Sequence, residues 1–177
     1  MRGYFAVGVD GVSKAMNLGN LIRISNAFGA SFFFSVNAQV KLADAAQSDT
    51  SHAQGVMPYY AFRSVEEFRL PVGCRLIGVE IADDATELPR FRHPQRAAYV
   101  FGSERLSVSE AMLKRCEFVV KIPTRFSINV GMAGAIVLYD RLISLGGYPA
   151  RPVAPGRQGE VPPPHKWGEP MMRPKRK

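Results

Sequence analysis

Between Lys121 and Asp140 the chain reads 121-KIPTRFSINVGMAGAIVLYD-140. The run leading into it, EFVVKI from Glu117 to Ile122, has the length and apolar content of a buried strand, and Pro123 cannot extend its ladder. From about Val130 the pattern becomes helical as far as Leu145, where Gly146-Gly147 stops it. Its first turns hold Gly131, Ala133, Gly134 and Ala135, small residues that let a helix pack close to its neighbours. Between strand and helix stand Arg125, Ser127 and Asn129. A plain connector does not need this polar trio, which marks the segment as a loop with work beyond joining two elements.

Outward from this stretch the same alternation repeats. Tyr4 to Asp10 reads as a strand containing Gly8. A helix follows, with Asn17 as its N-cap, Leu18, Leu21, Ile22 and Phe28 near one face, and Gly29 at its end. SFFFSV, Ser31 to Val36, is a short apolar strand. Residues 37–62 contain small and polar residues and a turn around Met57-Pro58, and their pattern decides no element. Ser64-x-x-Glu67 and Ser107-x-x-Glu110 are capping-box patterns that open brief helices through Phe68 and Leu113. CRLIGVEI, Cys74 to Ile81, and Ala98 to Gly102 are further strands, separated by the proline-punctuated polar loop DDATELPRFRHPQR.

Apolar strands without period-two alternation, separated by helices, predict an α/β fold: a parallel sheet with helices on both faces. Such sheets bind ligands beyond the carboxyl ends of their strands. The loops after Asp10, Val100-Phe101 and Ile122 are therefore the candidates for chemistry.

Composition narrows the field. The chain has 177 residues, of which 46% are hydrophobic, enough for one domain with a sizeable core. It carries a net charge of +8 and a pI near 9.8, which favours a polyanionic partner. The segment from Arg151 onward holds +5 of that charge and is rich in proline, so the expected organisation is a folded domain over 1–150 and a basic, solvated tail over 151–177. No apolar run approaches the roughly 18 residues of a spanning helix, and a strand-like YFAVGVD follows the start without a signal-peptide layout, so the protein reads as cytoplasmic. Cys74 and Cys116 read as buried free thiols. His52, His93 and His165 are isolated, and no metal centre is expected.

Three loop motifs carry the chemical reading. MNLGNLIR, Met16 to Arg23, puts a helix N-terminus beside a cation roughly a turn and a half further on, an arrangement suited to an anion. In YVFGSERLSVSE, Gly102 permits close approach of main chain to a ligand and Glu104 can accept hydrogen bonds from hydroxyls. The third is the stretch quoted above. GxGxxG and GxxxxGK[ST] are both absent, which disfavours a nicotinamide or nucleoside-triphosphate site.

In that order and at those separations, NLGNLIR, FGSE and IPTRFSINVGMAGAIVLYD resemble the three motifs of the SpoU (TrmH-like) RNA 2′-O-ribose methyltransferases of the SPOUT superfamily, over Val7 to about Tyr148. Chain-topology rules alone give an unknotted doubly wound sheet. The resemblance instead implies a C-terminal deep trefoil knot that binds S-adenosylmethionine, in a homodimer. It implies a cofactor cradle of Glu80, Ile81, Gly102, Ile122, Ile128 and Asn129, and catalytic positions at Asn17, Arg23, Glu104, Ser127 and Asn129, with Arg23 supplied across the dimer interface. The expected partner is RNA. GGYP at Gly146 to Pro149 is similar to the ending of small wobble-position tRNA enzymes, which favours tRNA over ribosomal RNA. The alternatives are the same chemistry on ribosomal RNA and a noncatalytic knotted RNA-binding scaffold. Three positions depart from the family pattern: Ser107 replaces a glycine, Thr124-Arg125-Phe126 replaces a Met- and Gly-containing loop, and Gly131 replaces a serine.

Overall fold

A computed structural model describes residues 3–45, 57–103 and 107–146. The expected basic tail over 151–177 and the acid Glu104 lie outside the described residues. Among the described residues, seven strands form one sheet in the order β3-β2-β1-β6-β4-β7-β5. They are β1 (Tyr4–Asp10), β2 (Phe32–Val36), β3 (Tyr59–Phe62), β4 (Arg75–Val79), β5 (Thr86–Glu87), β6 (Arg96–Phe101) and β7 (Phe118–Lys121). Every pairing is parallel. The helices are α1 (Ala15–Phe28), α2 (Leu42–Ala45), α3 (Glu110–Leu113) and α4 (Val130–Leu145).

The strands read as unbroken apolar runs because both faces of the sheet are buried. On one face Val7, Val9, Phe33, Ile77, Tyr99 and Phe101 pack with Leu18, Leu21 and Ile22 of α1 and Val137 and Leu138 of α4. On the other, Ala6, Phe34, Leu76, Ala98 and Val100 pack with Phe68 and with Met112 of α3. Gly8 has a steric reason: it pairs with Phe34 in register, and the Phe34 ring occupies the space that a Cβ at Gly8 would fill.

Several local expectations are corrected. Asn17 does not cap α1: the cap position is Lys14, which makes no side-chain cap bond, and Asn17 sits buried in the first turn. Gly29 does end α1, in the left-handed region at φ 81°. Ser109, not Ser107, caps α3, its hydroxyl accepting from Met112 N. At 64–67 the chain makes a turn and no helix: Ser64 Oγ accepts from Glu67 N, but Glu67 reaches Arg63 N, one residue short of the reciprocal bond. Edge strand β3 lies in the stretch left undecided. The loop 82–95 contains β5 and a 3-10 turn at Leu88–Arg90. Cys74 and Cys116 are free thiols, half-buried instead of buried. Burial pushes the Cys116 thiol up to about 12.

The loop 82–95 also supplies a buried polar lock. His93 and Arg141 are each 4% exposed. Arg141 donates to Pro94 O at 2.6 Å and Gln95 O at 2.8 Å, and more weakly to Tyr99 Oη at 3.3 Å. His93 Nε2 meets Asp140 Oδ2 at 2.9 Å, and its Nδ1 meets Tyr99 Oη at 2.6 Å. One assignment satisfies all of them: Nε2–H donates to the carboxylate, Tyr99 O–H donates to Nδ1, and the guanidinium donates to Tyr99. This chain of bonds fixes the second half of α4 against the segment leading into β6. Burial pushes the Tyr99 hydroxyl up to about 12, which keeps it a donor.

Candidate functional site

Strand order reverses where β6 is inserted between β1 and β4, the position at which an open parallel sheet leaves a crevice. A cleft of about 480 Å³ lies there, within the size range of small-molecule sites. Its walls are the three segments that leave β4, β6 and β7. Val79, Glu80 and Ile81 form the first, Phe101, Gly102, Ser103 and Ser107 the second, and Ile122, Thr124 and Ser127–Asn129 the third. Lys14 and Asn17 of the α1 entry, with Val130 and Ala133 of α4, complete the lining.

The segment 122–129 is held at both ends. Thr124 N donates to Ile122 O at 2.7 Å, making a tight turn after Pro123. At the other end Asn129 caps α4, its Oδ1 accepting from Gly131 N at 2.9 Å. That bond fixes the amide orientation, so Nδ2 donates to Asn17 Oδ1 at 3.1 Å. Asn17 is thus spent on tying α1 to α4 under the cleft, which explains why it is buried inside the first turn.

Glu80 joins the other two walls. One carboxylate oxygen accepts from Ile81 N at 2.9 Å and the other from Val108 N at 2.8 Å. Asp10, at the end of β1 and 4% exposed, accepts from Ser109 N at 2.9 Å. Lys121 Nζ donates to Ala82 O at 3.0 Å and Asp83 O at 3.3 Å, bracing the β4 loop against β7. These three charged groups shape the cleft by holding main chain.

Residues singled out from sequence therefore converge. Asn17, Glu80, Ile81, Gly102, Ile122, Ser127, Ile128 and Asn129 line one cleft. Arg23 does not line it and sits exposed on α1, while Glu104 lies outside the described residues. Sequence reading missed Lys14 as a lining cation and Asp10 as a loop anchor. Asp10 is legible only as the polar end of a strand, and nothing in the spacing marks Lys14. Among the described residues no group of His, Cys, Asp and Glu could hold a metal ion, and no helix is long and apolar enough to cross a membrane.

An open parallel α/β sheet with a cleft at its strand-order reversal defines a ligand-binding protein of the doubly wound type. More narrowly, the chain belongs to the SpoU rRNA Methylase family, whose model matches residues 4–139. The tRNA (guanosine(18)-2'-O)-methyltransferase TARBP1 of Mus musculus is 24% identical over 137 residues, 73% of this chain and 9% of that protein. The chain spans 56% of a TrmH-family relative from Staphylococcus aureus, to which it is 25% identical over 75% of its own length. The fold matches that of the SpoU methyltransferase AviRb from Streptomyces viridochromogenes, solved in complex with AdoMet. The TM-score is 0.74 at 21% identity, covering 81% of this chain and 58% of AviRb. A structure described under the 2-OH methylation of C/U34 on tRNA gives 0.74 at 20% identity, covering 84% of this chain and all of that one.

Proposed function

We propose that this chain is an S-adenosylmethionine-dependent methyltransferase that modifies a ribose 2′-hydroxyl of RNA, with tRNA favoured over ribosomal RNA. The observation that carries the reading is the single cleft lined by residues of all three motifs, in a chain of the SpoU family. The fit to the cofactor is chemical: Ile81, Phe101, Ile122 and Ile128 offer apolar sides for a purine, and Gly102 leaves main chain accessible between them. The tRNA preference is supported by the fold match to the C/U34 structure, whose whole length is covered, and by GGYP at 146–149.

When bound, S-adenosylmethionine would supply an activated methyl group. The chain's own share is then alignment, worth several kcal/mol as effective concentration. Asn129 and Asn17 keep the third wall in place, Ser127 lines the cleft, and Glu104, two positions after Gly102 in the sequence, is assigned as an acceptor for hydroxyls. We assign Arg23 to a phosphate next to the target ribose and to polarising its 2′-hydroxyl. A guanidinium pKa above about 12 makes it a poor general base. Because Arg23 does not line the cleft of its own subunit, its contribution is assigned across a homodimer. An apolar stripe on α4 supports such a dimer: Met132, Ile136 and Tyr139, at helical spacing, are 60%, 39% and 53% exposed.

We further propose the trefoil knot for this chain, on family membership. The domain is assigned to 1–150 and the basic segment 151–177 to RNA attraction, in a cytoplasmic enzyme. The test is calorimetric titration with S-adenosylmethionine, followed by mass-spectrometric mapping of ribose methylation in tRNA and rRNA from cells with and without the protein. RNA binding without cofactor binding or turnover would favour the noncatalytic scaffold.

A further inference from the structure

Phe126 is 75% exposed, an unusual state for a phenyl ring in a protein that buries Phe33, Phe34, Phe68 and Phe101 almost completely. It stands beside exposed Arg125 in the segment 122–129, and its neighbours Thr124 and Ser127 line the cleft. Lys14, also exposed, lines the same cleft from the α1 entry. One cation thus lines a concave site, and the segment forming its third wall carries a second cation and an exposed ring between lining residues, on a chain of net charge +8. Among the described residues, neither the core clusters nor the cleft's bracing bonds use these three side chains. Their chemistry matches single-stranded nucleic acid, in which bases are free to stack on a ring and phosphates are free to meet cations.

We propose that Lys14, Arg125 and Phe126 form the RNA-gripping rim of the cleft. Phe126 receives an unstacked base next to the target nucleotide, while Lys14 and Arg125 hold flanking phosphates. The substrate segment is accordingly single-stranded, a loop or an end and not a duplex, because a paired base has no free face to give the ring. This rests on the methyltransferase reading for the location of the target nucleotide, but its test does not depend on turnover.

The experiment uses the full chain and a short fluorescein-labelled oligoribonucleotide, single-stranded or annealed to its complement. Wild-type protein prefers the single strand. Phe126→Ala weakens that binding about 10-fold, Phe126→Trp restores it and Phe126→Leu does not. Lys14→Gln and Arg125→Gln each reduce the salt slope by about one. Calorimetry with S-adenosylmethionine and sedimentation velocity are unchanged in the Phe126 and Arg125 variants. Equal affinity for duplex and single strand, or full binding by Phe126→Ala, overturns the rim. A changed sedimentation coefficient for Phe126→Ala overturns it in favour of a second copy of the chain as the ring's partner. Loss of S-adenosylmethionine affinity in Lys14→Gln removes Lys14 from the rim. A wild-type chain that binds RNA through Phe126 but takes up no S-adenosylmethionine would sink the enzyme reading and leave the rim standing.

Discussion

Asn129 Nδ2 donates to Asn17 Oδ1 at 3.1 Å, joining side chains that are 112 positions apart in sequence. The same amide caps α4 through its oxygen, so one side chain starts a helix and anchors it to another. Asn129→Ala should cost about 1–2 kcal/mol of stability, the loss of a cap plus a partly buried hydrogen bond. Asn129→Ser should recover the cap share alone. A double-mutant cycle with Asn17→Ala, read by urea denaturation, measures the remainder. Strict additivity would show that the amide pair contributes nothing.

Gly8 and Phe34 make a second test. Gly8→Ala forces a methyl group into a ring that is fully buried, so it should destabilise by about 1–3 kcal/mol despite placing a better strand former in β1. Phe34→Leu in the same chain should remove part of that clash. Thermal unfolding of the two single variants and the double variant checks this, and a neutral Gly8→Ala would contradict it.

The lock around His93 gives stability a pH dependence. Burial holds His93 below the ordinary histidine range, outweighing the neighbouring Asp140 carboxylate, which pulls the other way, and reinforced by the Arg141 guanidinium. The Tyr99 hydroxyl meets the ring at its Nδ1 edge, and the Phe91 ring packs nearly perpendicular to it with centroids 5.1 Å apart. An unfolded histidine titrates near about 6.5, so below that pH the unfolded chain binds the proton that the native imidazole refuses. The contribution is therefore complete above about pH 7 and declines as pH falls through and below about 6.5. Melting temperatures measured across that window should fall more steeply for wild type than for His93→Gln. Parallel curves would mean that His93 titrates alike in both states.

Arg23→Ala should keep the dimer and its affinity for S-adenosylmethionine while losing methyl transfer, since the residue lies outside the cleft that would hold the cofactor. Arg23→Lys should recover only part of the rate, because an ammonium lacks the planar fork that meets a phosphate and a hydroxyl together. Sedimentation, calorimetry and a methyl-transfer assay separate these effects. A variant that fails to fold or to dimerise would remove Arg23 from the catalytic assignment.

Elements governed by local chemistry were readable from sequence. β1 and α4 have their expected limits, Tyr4–Asp10 and Val130–Leu145, because apolar content and a stopping Gly146 are local signals. Residues whose roles depend on distant partners were not. Asn17 resembles a cap by type, and only α4 arriving from far along the chain converts it into a buried tie. His93 and Arg141 look like solvated polar residues until Tyr99 and Asp140 enclose them. β3 has a weak apolar signature because it is an edge strand with two exposed residues, Tyr60 and Ala61. The cleft residues were found through ordered motifs, whereas Lys14 belongs to no motif and needed coordinates.

Glu80 has a mechanical corollary. One carboxylate oxygen is held locally by Ile81 N and the other takes Val108 N, so this second bond stitches the β4 and β6 sides of the crevice together, and parting them leaves that oxygen without its donor. The remaining side is the polar span from Ile122 to Asn129, whose bonds among the described residues lie at its two ends. That span would act as the door, and Glu80 as the seam that keeps the frame from spreading.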